Sequence, residues 1–186
     1  MDPSASLPQA LSTQTRTQAP PSSRSLSSGA PPRPPMAHVL ASVVGGLCAV
    51  GFVGALTEAL SQPLILGSFG ATSVLAFGFP ESPFSQPRNI VGGHMLSTLC
   101  AVACGAVLGF NWWSMAVAVA LAIAVMHVTR TVHPPAGSNP AIVMLSHASW
   151  PFLLKPTLLG VLLITAVAVV FNRALPSRRA YPKYWI

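Results

Sequence analysis

The chain has 186 residues, 52% of them hydrophobic and only 7% charged, with a formal net charge of +7. A soluble domain carries about a quarter charged residues, so an ordinary soluble fold is excluded. Its three acids are Asp2, Glu58 and Glu81, which leaves almost no paired-carboxylate chemistry and no usable aspartate for a Ser–His–Asp triad. The chain is therefore expected to be an integral membrane protein and not an enzyme.

Residues 1–35 are rich in Ser, Pro, Gln and Arg and lack hydrophobic periodicity, the composition of a disordered tail. Their acid-poor make-up also has something of an organellar transit peptide, but a cytoplasmic tail is the preferred expectation. Arg16, Arg24 and Arg33 precede the first apolar run, and Arg173, Arg178, Arg179 and Lys183 follow the last. Charges confined to the ends are membrane flanks, not the clustered stripe that nucleic acid requires. Both tails are thus expected in the cytoplasm, with an even number of crossings.

A domain over residues 36–173 and a basic tail over 174–186 follow. Residues 36–60 are long enough to cross about 30 Å of hydrocarbon. Residues 63–79 are short and interrupted by Gly67 and Gly70. Residues 89–110 span again, and Asn111 alone separates them from 112–129. A broken element over 133–149 comes next, and 152–172 form the last span. The expectation is an all-α helix bundle of four full spans plus two short Gly/Pro-broken or re-entrant elements. Gly93, Ser97, Ala101, Gly105 and Gly109 recur every four residues along the third run, a stripe that lets helix backbones approach closely in lipid. Cys48, Cys100 and Cys104 lie inside apolar runs and are read as packing residues, and no metal site is expected.

The two broken elements align as G67-S-F-G-A-T-S-V-L75 and G137-S-N-P-A-I-V-M-L145, with Gly, Ser, Ala and Leu at the same offsets. Interrupted apolar segments at matching places in two halves point to a transport site. Ser138 or Asn139 suits an N-cap and Pro140 the first helical position. Ser68 and Gly70 can serve the same role ahead of a helix near Ala71. Two helix starts inside the bundle would aim free N–H groups at a small anion. Gly67, Ser68, Gly70, Thr72, His133, Gly137, Ser138 and Asn139 are the candidate binding residues. Glu58, Arg88, His94 and Arg130 are candidates for a proton or charge role, since ionisable groups at membrane depth are functional by default.

With His133-Pro134-Pro135-Ala136-Gly137, the stretches G67-S-F-G-A-T72, S85-Q-P-R-N89, Gly92-Gly93-His94 and Y181-P-K-Y-W185 stand in order. In these the chain resembles the HPP family of integral membrane proteins, over about residues 55–185. The resemblance implies a transmembrane bundle with a transport role, and nitrite is the substrate linked to some plastid and cyanobacterial members. The expected partners are a small anion and the lipid bilayer, with no cofactor and no nucleic acid. The short build suggests a bacterial inner membrane, with a plastid envelope as the alternative, and a bundle this small suggests a homo-oligomer. A membrane-embedded structural or sensory subunit is the competing function.

Overall fold

A computed structural model describes residues 31–176 and 180–185. The tail expected over residues 1–35 falls, up to residue 30, outside the described residues. Among those described, every regular element is helical. α1 is Met36–Leu60, α2 is Ser68–Ser73 and continues through a wider turn at Val74–Gly78, α3 is Pro87–Leu108, and α4 is Trp112–Val128. α5 is Asn139–Ser146, preceded by a tight 3-10 turn at Pro134–Ser138, and α6 is Leu159–Ala174.

Local chemistry sets these boundaries. α1 stops at Ser61, which turns left-handed (φ 48°) and bonds back to Glu58 O, and Pro63 cannot continue the helix. α3 begins with Pro87, where the missing N–H is no loss, and ends at Gly109 with φ 80°, a conformation that needs glycine. Asn111 caps α4 by accepting from Ser114 N at 2.9 Å. The last apolar run is not one straight span: Lys155, ahead of Pro156, has extended backbone, and α6 proper starts only at Leu159.

Three helical stretches, Met36–Leu60, Pro87–Leu108 and Trp150–Ala174, are long and apolar enough to cross a membrane, while Ser68–Gly78 and Trp112–Val128 are shorter. The expected four full spans are therefore met by three. The fourth, α4, is 17 residues, about 26 Å at 1.5 Å per residue.

Each broken element runs back along the helix before it. Residues 61–67 are non-helical, then α2 carries the chain to Gly78, whose carbonyl accepts from His38 Nε2 at 2.8 Å near the start of α1. Ser42 Oγ likewise donates to Phe77 O at 2.8 Å. Residues 129–133 are likewise non-helical before the 3-10 turn and α5 carry the chain back toward the start of α4. There the His147 ring meets Phe110 at a tilt of 56°, with centroids 4.9 Å apart. The two helical pieces thus point in opposite directions, and the start of α1 and the end of α6 share one end of the bundle, where Asn172 donates to Ala76 O at 3.1 Å.

α3 is the pillar between them. Its stripe of Gly93, Ser97, Ala101 and Gly105 is buried as expected, and only Gly109 departs from it, serving as the helix stop. A Cβ on Gly93 would stand 2.7 Å from His133 Cβ and 3.0 Å from Thr131 O, so glycine is what allows the second broken element to lie on α3. Within the basic tail, residues 181–184 dock on the bundle. Tyr181 is buried and donates to Ser85 O at 2.8 Å, Lys183 N bonds Gln86 Oε1 at 2.8 Å, and Lys183 pairs with Glu81. Burial pushes the Tyr181 phenol upward, so it remains a donor at ordinary pH.

Gly160 packs where a Cβ would press on Leu64 O and the Phe69 ring, whereas Gly46 has open space at that position. Gly160→Ala should therefore lose about 1–3 kcal/mol, the range for overpacking, and Gly46→Ala should be nearly neutral. Thermal unfolding in detergent, followed by size-exclusion chromatography of the heated samples, measures the contrast.

Candidate functional site

Four buried polar side chains join the two broken elements through α3. Thr72 comes from the second turn of α2, His94 from α3, and His133 and Asn139 from either side of the Pro-Pro turn. Thr72 Oγ1 lies 2.9 Å from His94 Nε2 and 3.0 Å from His133 Nε2. Asn139 Nδ2 lies 3.0 Å from His94 Nδ1, 3.3 Å from His94 O and 2.9 Å from Thr98 Oγ1. The two imidazoles sit with centroids 5.1 Å apart, and Phe69 meets His94 edge-on at 5.4 Å.

Fixed carbonyls determine where the hydrogens go. Phe84 O, 2.7 Å from His133 Nδ1, can only accept, so neutral His133 carries its proton on Nδ1 and offers a bare Nε2. Thr72 has one hydrogen and donates it to that nitrogen, and its lone pair accepts from His94 Nε2–H. His94 Nδ1 is then bare and accepts from the Asn139 amide, whose NH2 orientation is held by the His94 carbonyl. The result is a directional chain from Asn139 through His94, Thr72 and His133 to Phe84 O. Three further buried atoms, Ser68 Oγ, Ser73 Oγ and Asn139 Oδ1, have no hydrogen-bond partner among the described residues.

The expected site residues divide into two sets. Thr72, His133, Asn139 and His94 come together at this centre, and the buried Ser68 touches it through its carbonyl, which accepts from Thr72 Oγ1 at 3.1 Å. Gly67 is close by, its side-chain position 4.0 Å from Ile142 Cδ1 in the first turn of α5. Gly70 instead lines a groove of about 370 Å³ with Ser42, Gly46 and Ser73. Gly137 is half-buried with open space where a Cβ would stand. Ser138 is exposed and donates to Pro135 O at 2.8 Å. Glu58 and Arg130 are exposed, and Arg88 donates to Thr129 O at 3.0 Å at the edge of the bundle.

The capping roles need correction. Neither Ser68 nor Ser138 makes a side-chain cap, and Asn139 is the first residue of α5, its amide turned across to α3 rather than onto its own helix. The helix before Asn139 already begins at Pro134. Pro134 and Pro135 have no N–H, Ala136 N bonds His133 O at 3.0 Å and Asn139 N bonds Ala136 O. The crown of free backbone donors expected at this start is thus largely removed by proline. Side chains, not peptide N–H groups, make the second half of the site.

Sequence reasoning missed Thr98, Ser97 as a bonding group and the Phe84 carbonyl. Ser97 Oγ donates to Ala136 O at 2.6 Å, although the stripe had marked it only as small. Thr98 stands four residues after His94, the spacing that puts two side chains on one helix face, and could have been found so. Among the described residues, no group of three or more His, Cys, Asp or Glu side chains converges.

A helix bundle with apolar spans, and with a polar centre made by two interrupted helices, defines a polytopic membrane protein. The family described as "HPP, transmembrane region" matches residues 31–182, and the chain belongs to this family. Two Dictyostelium discoideum proteins described as transmembrane proteins are similar to it. One is 33% identical over 177 residues, which is 86% of this chain and 61% of that protein. The other is 38% identical over 129 residues, which is 65% of this chain and 41% of that protein. The chain thus spans less than two thirds of either relative. No solved structure matches it.

Thr72→Val keeps the shape of the side chain but leaves two imidazole nitrogens unpaired. It should destabilise the protein by about 1–3 kcal/mol, the cost of stranded buried polar groups. Thr72→Ser keeps the hydroxyl and should retain most of that stability. The difference is read from unfolding transitions of the two variants in the same detergent.

Proposed function

We propose that the chain is a membrane transporter or channel that passes a small anion, of which nitrite is the first to test, through the polar centre between the two broken helices. The observation that carries this reading is Asn139 Oδ1, buried and without a partner among the described residues in a cluster with two histidines, together with Ser68 Oγ, likewise buried and unpartnered among them, one helical turn before Thr72. Each such atom costs a fold about 1–3 kcal/mol unless something bonds to it. A solute carrying both an acceptor and a donor would supply those bonds, the acceptor to a serine hydroxyl and the donor to Asn139 Oδ1. Irregular backbone at membrane depth, such as residues 129–133, also belongs beside a solute path or inside packed protein.

In this reading each broken element crosses the bilayer as an extended stretch followed by a helix. With residues 61–67 at about 3.3 Å each and Ser68–Gly78 at about 1.5 Å each, the first covers about 40 Å, comparable with α1. That makes six passages, with both ends of the chain on one side. The basic flanks put that side in the cytoplasm, in a bacterial inner membrane or, as the alternative, a plastid envelope.

The test is uptake of isotopically labelled nitrite by vesicles reconstituted with the full chain, against protein-free vesicles. Ser68 Oγ has no partner to lose among the described residues, so Ser68→Ala should insert and unfold like the parent. Its uptake should fall about tenfold or more, the factor set by one hydrogen bond of about 1.4 kcal/mol. Uptake no faster than in protein-free vesicles would overturn transport and leave a structural or sensory subunit.

A further inference from the structure

The following rests on the polar centre being a solute path and adds the ion that travels with the solute. Among the described residues, no Lys or Arg side chain hydrogen-bonds to the cluster. Arg88 is held by Thr129 O and Arg130 is exposed. The carboxylates are equally remote in role: Glu58 is exposed in the last turn of α1, and Glu81 is paired with Lys183. The groups that meet His133 are Thr72 from α2, the Phe84 carbonyl from the α2–α3 connection, and the tilted ring of His94 from α3. Among the described residues no cation is bonded into this centre to meet an entering anion, and an unpaired charge at that depth is expensive.

A proton added to the chain of hydrogen bonds has one place where it fits. On His94 Nδ1 it would face the Asn139 NH2, donor against donor. Turning that amide over would set its oxygen against the His94 carbonyl, 3.3 Å from the present nitrogen. On His133 Nε2 the new N–H faces Thr72 Oγ1. The Thr72 hydrogen then has another acceptor, Ser68 O at 3.1 Å. Rotated there, the hydroxyl accepts from both histidines, using its two lone pairs. One torsion converts Thr72 from donor to acceptor, and no other group has to move.

We propose that His133 takes up one proton with each anion, Thr72 acting as the rotor that admits it, so that transport is an electroneutral proton–anion symport. The proton comes from water on the entry side and forms an N–H bond at His133 Nε2. That bond breaks on release as the proton passes to water on the exit side, and the Thr72 hydroxyl turns back from Ser68 O to donate its hydrogen bond to the bare His133 Nε2. Acid on the entry side favours loading, so uptake rises as the pH outside falls.

The experiment uses the full chain in vesicles with labelled nitrite as the probe, protein-free vesicles giving the background of nitrous acid leak. An inward proton gradient of two pH units should raise the protein-dependent rate at least tenfold. A potassium–valinomycin potential, inside positive or inside negative, should leave it unchanged. Uptake driven by the potential and indifferent to the pH gradient would overturn symport while leaving transport intact. Uptake no faster than in protein-free vesicles would remove the underlying reading and the symport with it. Nitrogen-15 spectra of the histidine-labelled protein supply a second readout that needs no transport. At pH 8 His94 should be protonated on Nε2 and His133 on Nδ1. As acid is added, His133 should become imidazolium before His94, and the order should be lost in Thr72→Val. The reverse order in the parent protein would overturn the assignment to His133.

Discussion

One hydroxyl hydrogen, that of Thr72, has two acceptors it could serve, His133 Nε2 and Ser68 O, while the oxygen that carries it accepts from His94 Nε2–H. Because Thr72 can donate only once, the states of both imidazoles are tied to its orientation. Everything around it maintains that coupling. The Phe84 carbonyl holds one end and the Asn139 amide holds the other. Phe69 closes the edge of the His94 ring. Thr72, His94, His133 and Asn139 are all fully buried, so water does not compete with these bonds and each is stronger than it would be at the surface.

That centre exists because two helices are interrupted beside a third that is narrow. Small residues on α3 bring the backbone of residues 131–133 onto the helix, where a Cβ on Gly92 or Gly93 would collide with Thr131 or His133. The interruption frees side chains that a continuous helix would have sent around its circumference. His133 leaves just before the turn and Asn139 just after it, and both reach α3 at His94. The Pro-Pro pair has a double effect, since it starts the helix and also deletes the backbone donors that would otherwise crowd its start.

The docked C-terminal residues close the end of this assembly. Tyr181 and Lys183 bond to Ser85 and Gln86, and Tyr184 donates to Asn89 Oδ1 at 3.0 Å. Asn89 in turn donates to Val132 O at 3.0 Å, one residue ahead of His133. A strap far away in sequence therefore supports the backbone from which the site histidine projects.

The amino-acid sequence alone determined the membrane class, the helical content, the order of long and broken segments, and the buried stripe on α3. These follow from local quantities: apolar run length, small residues every four positions, and the punctuation of Gly67, Gly70, Pro134 and Pro135. It also marked Thr72, His94, His133 and Asn139 individually, the last with an added capping role that it does not fill, because capping is the local role of an asparagine before a helix. Only the tertiary structure decided that these four meet, since Thr72 and His133 are 61 positions apart and join at 3.0 Å. It likewise decided that Gly70, Ser138, Glu58 and Arg130 stand outside the cluster, and that residues 181–184 of the basic tail bond back to the bundle. The reason is physical. Periodicity states which face of a segment is buried, but a hydrogen bond between segments depends on how helices pack in register, and that is set by all of their contacts together.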